Sequence, residues 1–193
     1  MVLLKYMSGK QKLRLLIPFL SIFLFSCESE YTKVTKAELD KGVRYDSLFF
    51  GINLGQPKQE FFEICWDLHK QGVLTNSTRD NYVQYNLNKD FPKIQMHFYP
   101  EADAENIISE MDIIFDYSGW SPWNEKYSSD SLMPVIIDTL EAWYPGNKFF
   151  DVQLENEVDI SVKIDGNRRI AVRRKDDRFV QAKITDLTSE INE

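Results

Sequence analysis

Few side chains in this sequence are suited to catalysis or to metal binding. The 193-residue chain has two histidines, His69 and His97. Imidazole catalysis or a zinc site would require the fold to bring them together, so we expect both to have structural or surface roles. Cys65 lies in an apolar helical pattern, which predicts a buried thiol and not a nucleophile with a nearby base. The sequence therefore predicts no catalytic residue, no metal and no cofactor.

The acidic side chains give no stronger sign of chemistry. Glu101, Asp103 and Glu105 alternate as in a calcium loop, but the central glycine and the closing glutamate are missing, which favours a solvated hairpin turn. No glycine-rich nucleotide-binding motif is present. Paired carboxylates for glycoside hydrolysis would form only in the folded protein, and this alternative stays open.

An aromatic loop is the first candidate binding surface. The stretch YSGWSPWNEKY, residues 117–127, places Trp120, Trp123 and Tyr127 in a segment with proline and glycine. Exposed aromatic rings on a rigid loop could stack on a carbohydrate or anchor a protein partner. In the alternative interpretation, the two tryptophans cover the hydrophobic core.

An arginine-rich hairpin is the second candidate. In DGNRRIAVRRK, Arg168 and Arg169 lead a group of four arginines in an acidic protein. Several guanidinium groups on one hairpin could bind a carboxylate ligand or an acidic partner. The alternative is that they form cross-strand pairs with carboxylates and protect a sheet edge.

The N-terminus carries a targeting signal. Residues 15–25 are almost purely apolar, but a transmembrane helix needs about 20 such residues. Lys5, Lys10, Lys12 and Arg14 precede them without any acidic residue, as in a secretory signal peptide. We predict that residues 1–26 are a signal peptide that is removed.

The end of this segment, Leu24-Phe25-Ser26-Cys27, resembles the lipobox of bacterial lipoproteins. The resemblance implies cleavage before Cys27, acylation of that cysteine with groups such as palmitate, and anchoring to the outer membrane of the cell envelope, facing the periplasm or the exterior. Two or more acyl chains hold a protein firmly on a membrane. An ordinary signal peptide, a retained anchor helix and a buried segment are the alternatives.

The rest of the chain predicts one folded domain. The net charge is −7 and the predicted signal peptide is basic, so the remainder is strongly acidic and unsuited to binding nucleic acid. Without Cys27, Cys65 has no disulfide partner, and stability must come from a packed core. Residues 27–43 are predicted to form a lipidated tether, residues 44–189 a single domain, and residues 190–193 a tail.

Hydrophobic periodicity predicts an α+β fold, in which two helices pack on an antiparallel β-sheet. Strands are expected over 45–54, 81–87, 93–99 and 107–117, and helices over 57–71 and 129–144. About four further strands follow, the last three of them separated by turns at 165–167 and 175–177. The order indicates a helix-plus-meander unit used twice.

Two helical faces are predicted to be buried. On the first helix, the residues predicted to be buried are Phe61, Ile64, Cys65 and Leu68, and Phe62 and Trp66 flank them. On the second they are Leu132, Val135, Ile136, Leu140 and Trp143.

Segments of the domain resemble those of uncharacterised bacterial lipoproteins of similar length, namely LGQPKQEFFEICWDLHKQG, WSPWN and VKIDGNRRI. A weaker likeness, carried by residues 55–62, is to small outer-membrane assembly lipoproteins. Neither resemblance implies an activity. We therefore expect a non-catalytic envelope lipoprotein that binds a protein or a ligand such as a carbohydrate. The alternative is a lipid-anchored hydrolase acting on envelope or external polymers.

Overall fold

A computed structural model describes residues 28–77, 79, 81–153 and 159–190. The predicted signal peptide, the predicted lipidation site Cys27 and residues 191–193 of the predicted tail lie outside the described residues. Among the described residues, no helix combines the length and the apolar character needed to cross a membrane. The compact unit discussed below begins at Val34.

The described chain forms a mixed α+β fold that is mostly sheet. Its helices are α1 (Glu30–Leu39), α2 (Lys58–Lys70), α3 (Ser129–Trp143) and α4 (Leu187–Glu190), with a 3₁₀ turn at Glu125–Tyr127. Its strands are β1 (Thr75–Asn76), β2 (Val83–Asn86), β3 (Ile94–Ala102), β4 (Ile108–Tyr117), β5 (Phe150–Gln153), β6 (Asp159–Asp165), β7 (Arg168–Arg174) and β8 (Val180–Asp186).

All eight strands belong to one antiparallel sheet, in the order β1-β2-β3-β4-β8-β7-β6-β5. Each half of the chain contributes a four-stranded meander, and the two meanders meet where β4 pairs with β8. The short turn Asp165-Gly166-Asn167 joins β6 to β7, as its sequence predicts.

The hydrophobic core lies on one face of this sheet. Phe61 of α2 and Leu132 and Ile136 of α3 are fully buried. The ring of Phe61 lies 6.2 Å from that of Phe98 on β3. Alternating residues of the central strands face this core, as expected when one face of a sheet is buried. The main-core members are Met96, Phe98, Met111, Ile113, Phe115, Ile170, Val172, Val180, Ala182 and Ile184.

The helical faces are partly as predicted. Phe61 and Cys65 are buried on α2, as are Leu132, Ile136 and Leu140 on α3. Val135 and Trp143, however, are each 38% exposed, so the buried stripe of α3 is narrower than the sequence predicts.

One strand prediction is wrong, and another strand is longer than predicted. Residues 45–54 form no strand but a tight reversal, because Phe50 and Gly51 both have positive φ and Leu48 pairs back to Ile52. The strand predicted to end at residue 99 continues through Pro100 to Ala102. Proline is tolerated at position 100 because the pairing of β3 with β2 ends at Phe98. The side of β3 that lacks a backbone N–H at Pro100 therefore has no strand to bond to.

The segment predicted to be a tether contains helix α1. Within it, Glu38 is buried and accepts a hydrogen bond from the backbone N–H of Gly166 at 3.1 Å. Another hydrogen bond reaches Glu38 from the Asn147 side chain at 2.7 Å. The chain therefore joins the compact unit at the β6–β7 turn.

Candidate functional site

Two loops meet at one end of the sheet and carry its most exposed aromatic side chains. One loop follows β4 and contains Trp120, Trp123 and Tyr127, and the other joins β2 to β3 and contains Phe91. We call Phe91, Trp120, Trp123 and Tyr127 the aromatic tip.

Backbone pairing holds the two loops together. The N–H of Ser118 donates to the carbonyl of Lys93 at 2.8 Å, and the Ser118 hydroxyl accepts the N–H of Lys93 at 2.9 Å. Gly119 allows a close approach, because a Cβ atom there would lie 3.1 Å from the Phe91 ring and 3.4 Å from that of Tyr127. The tip is therefore held by specific contacts and not only by loop connectivity.

The aromatic tip differs in exposure from residue to residue. Trp123 is 85% exposed and Phe91 is 77% exposed. Trp120 is half-buried beneath the guanidinium of Arg178, 5.3 Å from the ring centroid, and the half-buried ring of Tyr127 packs 5.5 Å from that of Tyr117. The interpretation in which both tryptophans cover the core is thus wrong for Trp123. Phe91 was not among the predicted contact residues, although its position beside Pro92 in a polar loop is a recognisable turn signal.

A pocket of about 750 Å³ opens beside Trp120. We call it the tip pocket, and its walls come from the loop after β4, the first turn of α3 and the β7–β8 turn. Its lining residues are Trp120, Ser121, Pro122, Asn124, Glu125, Ser128, Asp130, Ser131 and Asp177.

The predicted arginine surface is wrong at Arg168. This side chain is 4% exposed, because its position in β7 points it to the core face alongside Ile170 and Val172. Its guanidinium donates to the carbonyl of Ser47 at 3.0 Å and lies 4.4 Å from the centroid of the Tyr144 ring. Burial lowers the pKa of Arg168.

Arg169 points to the other face of the sheet and is half-buried, and one of its amino groups lies 3.4 Å from the hydroxyl of Thr185. The remaining hairpin arginines contact β8 and α3. Arg173 donates to Gln181, and Arg174 pairs with Asp130. Arg173 and Arg174 therefore have partners, but these are an amide on β8 and a carboxylate on α3, not the cross-strand carboxylates of the alternative interpretation, and β7 lies inside the sheet and not at its edge.

Cys65, His69 and Asp103, which were expected to lack catalytic roles, lie in local structural surroundings. Cys65 is 7% exposed, and burial raises the pKa of its thiol to about 12, which removes the thiolate needed for attack. His69 lies at the end of α2, where its Nδ1 is 3.1 Å from the carbonyl of Leu74. Asp103 accepts the N–H groups of Glu105 and Ile107, which is a hairpin-turn arrangement. No group of three or more potential metal ligands occurs within residues 28–77, 79, 81–153 and 159–190.

One chain of polar side chains was not recognised in the sequence. The hydroxyl of Ser77 lies 2.7 Å from Nδ1 of His97, and Nε2 of His97 lies 3.1 Å from Asp116. Asp116 also accepts two hydrogen bonds from Arg178, at 2.6 and 2.8 Å. His97 and Asp116 are both buried, and they come from adjacent strands whose pairing the sequence does not specify.

A second surface groove, of about 540 Å³, lies between α2 and the edge strands β1 and β2. Phe62 and Trp66 line it and are 46% and 62% exposed. The sequence places both residues beside the buried stripe of α2, and the structure shows that they face outward.

No protein-family model matches the chain, and neither does any curated protein or solved structure. The site is therefore interpreted from its geometry alone.

Proposed function

We propose that this protein is a lipid-anchored lipoprotein of the bacterial cell envelope whose domain binds a partner or ligand through the aromatic tip, without catalysis. The anchor part rests on the basic leader, the short apolar run and the lipobox ending at Cys27. Acylation of Cys27, with palmitate among the acyl groups, would hold the protein on the outer membrane.

The exposure of Trp123 is the observation that carries the binding function. An indole that is 85% exposed leaves most of its apolar surface in water, and such side chains dominate the energetics of many interfaces. Phe91, 77% exposed on the adjoining loop, extends the same surface.

The direction of the strands separates the tip from the N-terminal part of the compact unit. Tyr117, at the start of the aromatic loop, pairs with Ile94, so both tip loops lie at this end of the sheet. Gly166, which contacts Glu38, lies at the opposite end, because β8 starts beside Phe115 and ends beside Arg168. Glu38, near the start of the compact unit, therefore lies at the end of the sheet remote from the tip.

Two measurements on intact cells test the proposal. Metabolic labelling with an alkyne-bearing palmitate should label the wild type and not Cys27→Ser, and absence of label from the wild type would contradict the anchor. A photo-crosslinking amino acid at position 123 should give a discrete adduct, whereas the same probe at the exposed position Trp66 should not. Equal crosslinking at both positions would contradict the assignment of the tip.

We interpret the domain as two helices packed on the sheet, in two helix-plus-meander units. The order α2 then β1–β4, and α3 then β5–β8, supports this interpretation. The joining of the two meanders at the β4–β8 pair gives further support.

Hydrolysis is a second candidate function, favoured by the Ser77–His97–Asp116 contacts. The three side chains have the connectivity of a nucleophile, a base and an orienting carboxylate. Against it, the Ser77 hydroxyl already accepts the N–H of Arg79 at 2.9 Å, and Asp116 is paired with Arg178. A fluorophosphonate probe that labels the wild type but not Ser77→Ala would favour the hydrolase, and we expect no labelling of either.

A further inference from the structure

The tip pocket has the composition of a carbohydrate-binding site, an inference that rests on the binding function proposed for the tip. It joins one aromatic wall, Trp120, to a set of short polar side chains. Sugar rings present apolar C–H faces together with hydroxyl groups, and a site for them needs both kinds of surface.

The frame of the pocket is built before any ligand arrives. Three consecutive backbone turns fix the loop, with N–H groups of Asn124, Tyr127 and Ser128 donating to Ser121, Asn124 and Glu125 at 3.0, 3.0 and 3.1 Å. The start of α3 is tied to the β7–β8 turn, because Ser129 donates through its hydroxyl to Asp176 and through its N–H to Asp177, at 2.6 and 2.9 Å. Such a frame reduces the conformational entropy lost on binding.

Several polar groups of the pocket have no hydrogen-bond partner among the described residues. Within the part of the chain that the structure describes, the side chains of Ser121, Asn124 and Ser128 make no hydrogen bond. A serine hydroxyl and an asparagine amide can each donate and accept. This capacity matches sugar hydroxyls, which also do both.

The charges of the pocket exclude other ligand classes. Glu125, Asp130 and Asp177 line it, and Asp130 and Asp177 share Arg174 as an ion-pair partner. A phosphate or another anion would be repelled by these carboxylates. A wholly apolar ligand would leave the polar lining unpaired, at a cost in affinity.

We propose that the tip pocket binds a neutral oligosaccharide, with one sugar ring against Trp120 and its hydroxyl groups on Ser121, Asn124 and Ser128. Trp123, on the same loop, extends the apolar surface toward further sugar rings. This proposal assigns the ligand class of the tip to carbohydrate and not to protein.

Titration of the full chain, solubilised in a detergent without a sugar head group, tests the proposal. The probes are malto-, cello-, manno- and chito-tetraose, and the readouts are tryptophan fluorescence and calorimetry. We expect saturable binding of at least one of them. Trp120→Ala should weaken it by at least about tenfold, consistent with the loss of one aromatic contact.

Further variants keep the result interpretable. Trp120 is half-buried, so Asn124→Ala, which removes only a polar group at the surface, should also weaken binding, by about three- to tenfold. Trp66→Ala, at an exposed tryptophan on α2, should bind as the wild type does. Binding that is unchanged in both pocket variants would overturn the proposal.

The two proposals fail in different ways. If folded protein binds none of the four tetrasaccharides while the probe at position 123 still crosslinks a protein in cells, the carbohydrate inference falls and the binding function of the tip stands. If a tetrasaccharide binds in the Trp120-dependent manner but Cys27 carries no lipid, the carbohydrate inference stands and the anchor falls.

Discussion

The ammonium group of Lys163 lies 2.8 Å from a carboxylate oxygen of Asp165, and both side chains are almost completely buried. Arg168 lies 3.7 Å from the same carboxylate. Removing one member of a buried ion pair leaves the other charge without compensation, which typically costs about 3–5 kcal/mol.

We therefore expect Lys163→Met to lower the free energy of unfolding by about 3 kcal/mol, toward the low end of that range because Arg168 still faces Asp165. Urea denaturation followed by circular dichroism measures the change. Lys148→Met is the control, because Lys148 is 81% exposed in its pair with Glu141 and should contribute less than about 1 kcal/mol. Equal effects of the two substitutions would show that the buried pair has no special role.

Gly166 is expected to be intolerant of a side chain for a reason beyond its backbone angle. Its φ is +54°, and an added Cβ would lie 2.2 Å from the backbone carbonyl of Val43. Gly72 has a φ of +73° with nothing within 4 Å. We expect Gly72→Ala to lower the free energy of unfolding by about 1 kcal/mol, because alanine is strained in the left-handed backbone conformation. Gly166→Ala should lower it by about 2–4 kcal/mol, because the steric conflict with Val43 is added. Thermal unfolding of the two variants makes the comparison, and similar losses would contradict the close approach to Val43.

Trp123 should be dispensable for folding. Because it is 85% exposed, Trp123→Ala should change the free energy of unfolding by less than about 0.5 kcal/mol. Phe61→Ala, which removes a fully buried ring, should lower the free energy of unfolding by about 3–5 kcal/mol. A large loss of stability in Trp123→Ala would mean that this indole has a structural role.

Cys65 should be chemically silent in the folded protein. Burial raises the pKa of its thiol to about 12, so almost no thiolate forms at pH 8. In a Cys27→Ser background, which removes the other cysteine, a disulfide reagent at pH 8 should leave native protein unmodified and modify one thiol after denaturation. Rapid modification of the native protein would contradict the burial of Cys65.

Asp186 should make stability depend on acidity. Burial alone raises the pKa of its carboxyl, but hydrogen bonds from Thr188, Arg44 and Asn167 outweigh burial, so the folded-state pKa lies below the usual 3.8. A lowered folded-state pKa stabilises the protein at neutral pH. This stabilisation begins to decrease as the pH falls below about 4, and it is lost once the pH is below the lowered pKa.

Urea titrations between pH 2.5 and 7 test the sign of this effect. Asp186→Asn should be less stable than the wild type by about 1–3 kcal/mol at pH 7, and the difference should narrow below about pH 4. Asp138→Asn, at an exposed carboxylate of α3, should follow the wild type throughout. A constant difference between Asp186→Asn and the wild type across the range would contradict the linkage.

Local patterns in the sequence were sufficient to predict most elements of the fold. Helix α2 begins after Pro57 and ends before Gly72, as its start and stop signals indicate, and α3 begins at Ser129. The strands at the C-terminus follow the alternation of Ile160 to Ile184 and the DGN turn. These features succeed because periodicity and turn chemistry depend on neighbouring residues.

The failures occur where distant residues decide the conformation. The reversal at Phe50 places its ring against Tyr85 and Phe98. The extension of β3 through Pro100 depends on where pairing with β2 ends, and periodicity carries neither kind of information. Arg168 looks like a surface arginine in the sequence, yet its strand position buries it against Tyr144 and Asp165. Similarly, the Ser77, His97 and Asp116 contacts join residues that only sheet pairing brings together.

The sequence by itself determined the acidic charge, the resemblance of residues 24–27 to a lipobox, helices α2 and α3 and the α+β class, because each follows from composition or from local order. Only the tertiary structure decided that β4 pairs with β8, that Phe91 joins Trp120, Trp123 and Tyr127 at one end of the sheet, and that the chain joins the domain at the other end. The physical reason is that strand pairing and side-chain burial are set by contacts between distant segments.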